Sequence, residues 1–307
     1  MNAHRRTASG FTLLEVVIAM PLGLLVVTAA ISIYLAGLRH WRMQAERYEV
    51  QERAVFALTQ LARAVHLAGY RNWDFMEGTS RASNQNLRDW PSLRVMGACA
   101  GDVDKCPRRG WQRSALLEVQ YHGAGRGKGN GAVQDCAGQR APSGASGDRH
   151  VGVFYIEKSE DGSPSLFCRY LDLAKYPPKL KTAQVLVSGV EGMYLRLGYR
   201  TGKAGVFRWV DPVTSTRRKP PRPPYGERDW ENVAAVGISL VIRGVHRATG
   251  RTNGRRVVEI FDAKSGGREY MQLDNAGGYH LHVFNMVVLR RNDGGIGREA
   301  AWLASSS

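Results

Sequence analysis

A chain of 307 residues, 43% of them hydrophobic, is long enough to bury one large core or two ordinary ones, which excludes a mini-protein that lives on staples alone. Its 43 Lys and Arg against 27 Asp and Glu leave a formal charge of +16. That field attracts nucleic acid, lipid headgroups and acidic polymers alike, but the basic residues are spread along the chain without a recognition motif. A nucleic-acid partner is therefore compatible with the charge and unsupported by anything else.

In chain order, the first element is the stretch "RRTASGFTLLEVVIAMPLGLLVV" at residues 5–27. From Val16 to Leu38 there are 23 residues without a charge, which as a helix rising about 1.5 Å per residue cross the roughly 30 Å hydrocarbon layer. A secretory signal has a shorter apolar core, of about 7–15 residues, and no acid at its front. Here Glu15 stands there, and a carboxylate in hydrocarbon costs several kcal/mol unless it is paired. No Cys follows Leu35, Ala36 and Gly37, which excludes a lipoprotein anchor, and Arg5 and Arg6 lack the rest of a twin-arginine signal. Arg5 and Arg6 before the span balance Arg39 and Arg42 after it, so charge asymmetry leaves orientation open.

Past the apolar run, Tyr48, Val55, Leu58, Ala62 and Val65 recur at helical spacing, and no proline interrupts residues 22–90. The pattern predicts one continuous helix from about residue 11 to about residue 68, apolar to residue 38 and amphipathic over 39–69, ending near Gly69. Pro21, which lacks a backbone donor, is expected to kink or loosen the first half.

"GFTLLEVVIAM" at residues 10–20 resembles the amino-terminal signal of type IV pilins and pseudopilins. The resemblance implies a leader at residues 1–10, cleavage by a prepilin peptidase between Gly10 and Phe11, and methylation of the new amine on Phe11. It also gives Glu15 a role as an assembly contact, its carboxylate meeting the amino-terminal charge of a neighbouring subunit, where low polarity strengthens the attraction.

Residues 70–150 read as loop-rich, with one strand-like run at residues 115–122. "GAGRGKGNG" at residues 123–131 superficially resembles a phosphate-binding loop, but that template needs Gly at position 122 and Ser or Thr at 129, where His122 and Gly129 stand; a surface loop is expected. The four cysteines, Cys99, Cys106, Cys136 and Cys168, all follow the apolar segment. An even number there suits an oxidising compartment and places the carboxy-terminal part outside the cytoplasm. Of three connectivities the favoured one joins Cys99 to Cys106, which are close in sequence, and Cys136 to Cys168, which flank a loop and a strand. No C-x-x-C pair exists to hold zinc.

From Val151 onward, "VGVFYIEK", "SLFCRYLD", "AQVLVSGVEGMYLRLGYR", "VAAVGISLVIRG" and "YHLHVFNMVVLRR" are β-type runs separated by turn residues, which predicts an antiparallel sheet over residues 151–307. A Pro-rich, basic insertion at residues 211–229 cannot be a central strand. "VSGVEGMYLRLGYRTG", "DWENVAAVGISLVIRG" and "VFNMVVLRRND" resemble the strands of PilW-type minor pilins.

His280 and His282 share one strand face, but no acid or Cys completes a metal site; Asp102 and Asp104 match only the first two ligands of a calcium loop. No nucleophile or zincin motif occurs. The expectation is an α+β, pilin-like protein with no catalytic residue, no metal and no cofactor. Its long transmembrane and amphipathic helix packs on a carboxy-terminal antiparallel β-sheet domain. The resemblance implies a minor pilin that primes or caps a type IV pilus, single-pass in the inner membrane with a periplasmic domain and later at the pilus tip. Its expected partners are other minor pilins, the major pilin, the prepilin peptidase, the pilus assembly platform and the membrane. The alternative is a J-type pseudopilin of a type II secretion system, and a less favoured one a membrane-tethered exported enzyme.

Overall fold

The computed structural model describes residues 12–70, 92–97, 99–100, 108–125, 128–141, 149–172, 179–180, 183–201, 203–212, 233–247, 254–262, 267–274 and 278–292. Helix α1 spans Leu13–Leu67, 55 residues. The chain divides into two compact units, Met1–Glu49 and Val50–Ser307.

In the first unit α1 continues through Pro21: one missing donor removes one hydrogen bond, which strong helix formers on either side tolerate. Thr28 Oγ1 donates to the Leu25 carbonyl at 2.9 Å and Ser32 Oγ to the Thr28 carbonyl at 2.8 Å. Each hydroxyl is thus satisfied by its own helix and needs no water. The apolar side chains have no cover, with Leu13 84% and Ile33 74% exposed.

The second unit begins where α1 becomes buried. Its inward face is Val50, Ala54, Ala57, Leu58, Leu61, Ala64 and Val65. This corrects the expected stripe: Leu58 and Val65 lie on it, Ala62 is half-buried, but Tyr48 is 71% and Val55 56% exposed. Spacing alone weights bulky residues, whereas a helix lying close against a sheet is better served by a face of small ones, and three alanines supply it. Gly69, at φ 78°, ends the helix by taking the left-handed conformation and donates its N–H to the Gln120 carbonyl at 2.8 Å.

Two antiparallel sheets receive that face. The first half of the domain supplies β1 (Leu93–Met96), β2 (Cys99–Ala100), β3 (Arg108–Arg109), β4 (Leu116–His122), β5 (Arg149–Lys158), β6 (Pro164–Asp172), β7 (Lys179–Leu180) and β8 (Gln184–Ser188). The second half supplies β9 (Val190–Thr201), β10 (Lys203–Val210), β11 (Val233–Arg247), β12 (Arg256–Phe261), β13 (Glu269–Leu273) and β14 (Tyr279–Leu289). One sheet runs β1-β4-β5-β6-β7, with β8 also on β6; the other runs β10-β9-β11-β14. The run at residues 115–122, read as isolated among loops, is therefore a central strand that pairs with β5 across residue 150.

The run at residues 183–200 divides at Gly189, which carries the chain from the first sheet to the second. Its N–H donates to the Pro164 carbonyl at 2.8 Å and its carbonyl accepts from Arg243 N–H at 2.9 Å, so one residue is bonded into both sheets. At φ 79° the position favours glycine.

Alternation along the strands then fixes both faces. Leu117, Val119, Phe154, Ile156 and Leu166 of the first sheet and Met193, Leu195, Ile238 and Leu240 of the second share one core with α1. On the opposite face of the second sheet, Tyr194 and Val241 pack against Ile260, Phe261 and Leu273 of the β12–β13 hairpin. Arg196, buried beside them, donates to Asp211 at 2.9 Å, Glu269 at 2.8 Å and the Gly267 carbonyl at 2.7 Å, with its guanidinium 4.5 Å over the Phe261 ring. The buried charge is thus paired with two carboxylates and a third N–H is taken by a carbonyl.

A disulfide joins Cys136, in the loop after β4, to Cys168 on β6, with Cα atoms 6.1 Å apart. Asp135 Oδ1 folds that loop by accepting from Ala137 N–H and Gln139 N–H, and Arg63 Nη2 reaches from α1 to Gln134 Oε1 at 2.9 Å. Cys106 lies outside the described residues, and of Cys99 only the backbone lies within them.

Substituting Ala57→Leu is expected to overpack the helix seat and destabilise the domain by about 1–3 kcal/mol, while Val55→Ala on the outer face stays within about 0.5 kcal/mol. Denaturant unfolding of the full chain in detergent compares them, and equal losses would contradict the assigned face. Cys136→Ser with Cys168→Ser is expected to cost roughly 2–4 kcal/mol, read as a lowered denaturant midpoint. An unchanged midpoint would mean that the loop stays docked without its covalent tie.

Candidate assembly site

The site that the sequence singles out lies at the start of α1. Gly10 and Phe11 are outside the described residues, and Glu15 lies in the first turn. Thr12 N–H and Thr12 Oγ1 both donate to Glu15 Oε2, at 2.8 and 3.0 Å, and Glu15 N–H donates back to Thr12 Oγ1 at 3.3 Å. This is a capping box, in which a hydroxyl residue and a glutamate three positions later satisfy each other's backbone donors. The "TLLE" spacing carries that signal, and reading Glu15 only as an unpaired charge in hydrocarbon missed it. In the single chain the carboxylate is placed at the positive end of the helix dipole.

Beyond this turn the exposed surface of α1 is uncharged and mostly apolar as far as Leu38, after which exposed charged residues such as Arg39, Arg42 and Arg47 share it. Val26 and Val27 are uncovered, and farther along Trp41 and Met43 remain so. The helix is long and apolar enough to cross a membrane. In the β domain, Val55 and Phe56 keep part of the same character on the side of α1 that faces away from the core.

The other candidates do not converge. His280 is exposed and His282 half-buried on β14, and no group of three metal-ligating side chains occurs among the described residues. Asp102 and Asp104 lie outside the described residues. In the glycine-rich loop, Asn130 N–H closes onto the Ala124 carbonyl at 3.1 Å, and a Cβ at Gly125 would lie 2.4 Å from Asn130 N. That tight turn folds the loop on itself rather than around a phosphate. Burial pushes the Glu191 carboxyl above the usual carboxylate range, but its contact is structural: Trp111 Nε1 donates to Glu191 Oε2 at 3.2 Å.

No curated protein and no solved structure matches the chain. Residues 153–292 match the model of the PilW family, described as type IV pilus-assembly protein W; they run from β5 through the last described residue after β14. The match covers less than half of the chain; together with one amino-terminal apolar helix ahead of an antiparallel β domain, it supports a PilW-type protein associated with type IV pili.

Proposed function

We propose that the chain is a minor pilin, a non-enzymatic subunit that primes or caps a type IV pilus. In this reading the first part of α1 anchors it in the inner membrane with the β domain in the periplasm, until assembly moves it to the pilus tip. A prepilin peptidase removes residues 1–10 and methylates Phe11. Glu15 then meets the amino-terminal charge of a neighbour. Other minor pilins, the major pilin and the assembly platform are its partners.

The observation that carries this reading is the unequal burial of α1. A helix whose second part is sealed into a domain while its first part stays apolar and exposed, and Val55 and Phe56 stay exposed on the outer side of the second, needs lipid before assembly and other apolar helices after it. A membrane tether would need only the first of these, and no glutamate. The PilW match favours a pilus over a secretion pseudopilus, which shares the same amino-terminal physics.

Gly10→Val is expected to block cleavage, because a β-branched side chain obstructs the junction; intact-mass measurement of the membrane-extracted protein reads it, and a normally shortened chain would contradict the assigned junction. Glu15→Leu should leave insertion and cleavage intact, since Leu lowers the cost of placing the helix in hydrocarbon by about 3 kcal/mol, but should abolish co-purification with other pilins and reduce pili on cells. Wild-type recovery of both would remove the assembly role of the acid.

A further inference from the structure

A second surface, within the β domain, has the properties of a docking site. Between the last turns of α1, the loop after β4 and the end of β14 lies a groove of about 590 Å³, a size typical of binding pockets, which run to roughly 300–1,000 Å³. Its apolar lining includes Ala62, Leu67 and Met286, and Arg63, His66 and Arg291 stand around it. No acidic side chain lines it among the described residues. Arg63 donates to a neutral acceptor, Gln134 Oε1, at 2.9 Å, Arg291 is exposed, and His66 Nδ1 is buried without a hydrogen-bond partner among the described residues.

Two guanidinium groups and an imidazole beside an apolar floor select a carboxylate carried next to a large apolar side chain, because a planar fork of N–H donors matches a carboxylate in geometry as well as charge. A second copy is a poor occupant, since two chains that remain strongly basic, +14 once Arg5 and Arg6 are removed from the +16 of the full chain, repel each other. Thr59, at one end of the groove, is one helical turn from Val55 and Phe56, so the groove continues the exposed side of α1. We infer that this groove seats an acidic, apolar peptide segment of a neighbouring and different pilus subunit. The inference rests on the reading of the chain as a pilus subunit and adds to it the place and the chemistry of one contact.

The test introduces the photo-crosslinker p-benzoylphenylalanine at Thr59, and separately at Val55, in the full-length chain in piliated cells. The expected product at Thr59 is an adduct with a different pilus subunit, mapped by mass spectrometry to a peptide carrying Asp or Glu beside an apolar residue. Arg291→Glu should lower its yield on the order of tenfold, whereas Arg291→Lys retains most of it. Retention of the Cys136–Cys168 disulfide in both variants checks that each is folded. An adduct at Thr59 within the same chain, with a second copy or with lipid overturns the inference, as does a yield indifferent to Arg291→Glu. Adducts at Val55 but none at Thr59 overturn the groove and leave the subunit reading standing. Absence at both positions counts against that reading itself.

Discussion

α1 is one hydrogen-bonded helix that has to satisfy two surroundings. From Val50 onward its inward face is sealed by a core, while its earlier apolar residues have no protein cover. Within the β domain the remaining structure follows from seating that inward face. Ala54, Ala57 and Ala64 allow close approach, and both sheets send apolar side chains to the same cluster beneath the helix. Hydrophobic burial is largely non-directional, so the alternation of the strands, more than any single bond, sets which residues meet α1.

The two sheets share that helix and are also linked through their backbones. Gly189 hydrogen-bonds to Pro164 on one side and Arg243 on the other, and the 111–115 segment is tied to β9 by Ala115 N–H donating to the Met193 carbonyl at 2.7 Å and Met193 N–H donating to Ser114 Oγ at 3.2 Å. On the outer face of the second sheet, Trp209 packs so closely over Gly198 and Gly237 that a Cβ at either would lie 3.1 or 3.2 Å from its ring. Arg196, which pairs with Gly237, and the β12–β13 hairpin cover more of that face. Polar and aromatic groups thus finish a surface that β-branched residues alone would leave open.

Glu15 illustrates how a local interaction can prepare a residue for the assembly contact proposed for it. The capping box holds the carboxylate at the helix start, so the residue is positioned before any partner arrives. Preorganisation of this kind lowers the entropic cost of a later contact. An acid in an apolar environment is also costly when left alone, so under the proposed function its pairing would be selective. The same logic applies to the groove beside His66, where donors already surround an apolar floor.

Period and polarity are local properties, and what depends on them was legible in the residues themselves. The uncharged run from Val16 to Leu38, the Glu15 that interrupts the chain's apolar start, the end of the helix at Gly69 and the runs that became β5, β6, β11 and β14 could all be read without a fold. The face of α1 that turns inward could not, because Tyr48 and Val55 satisfy the same spacing as the buried residues and only the width available between helix and sheets chooses alanine. Nor could the passage between sheets at Gly189, the hairpin held by Arg196, or the central place of Leu116–His122, since each is decided by which distant strand lies alongside. The groove at the end of α1 belongs to that second class. Arg291 is far in the chain from Arg63 and His66, and packing of the helix end against the end of β14 alone brings these donors to one place.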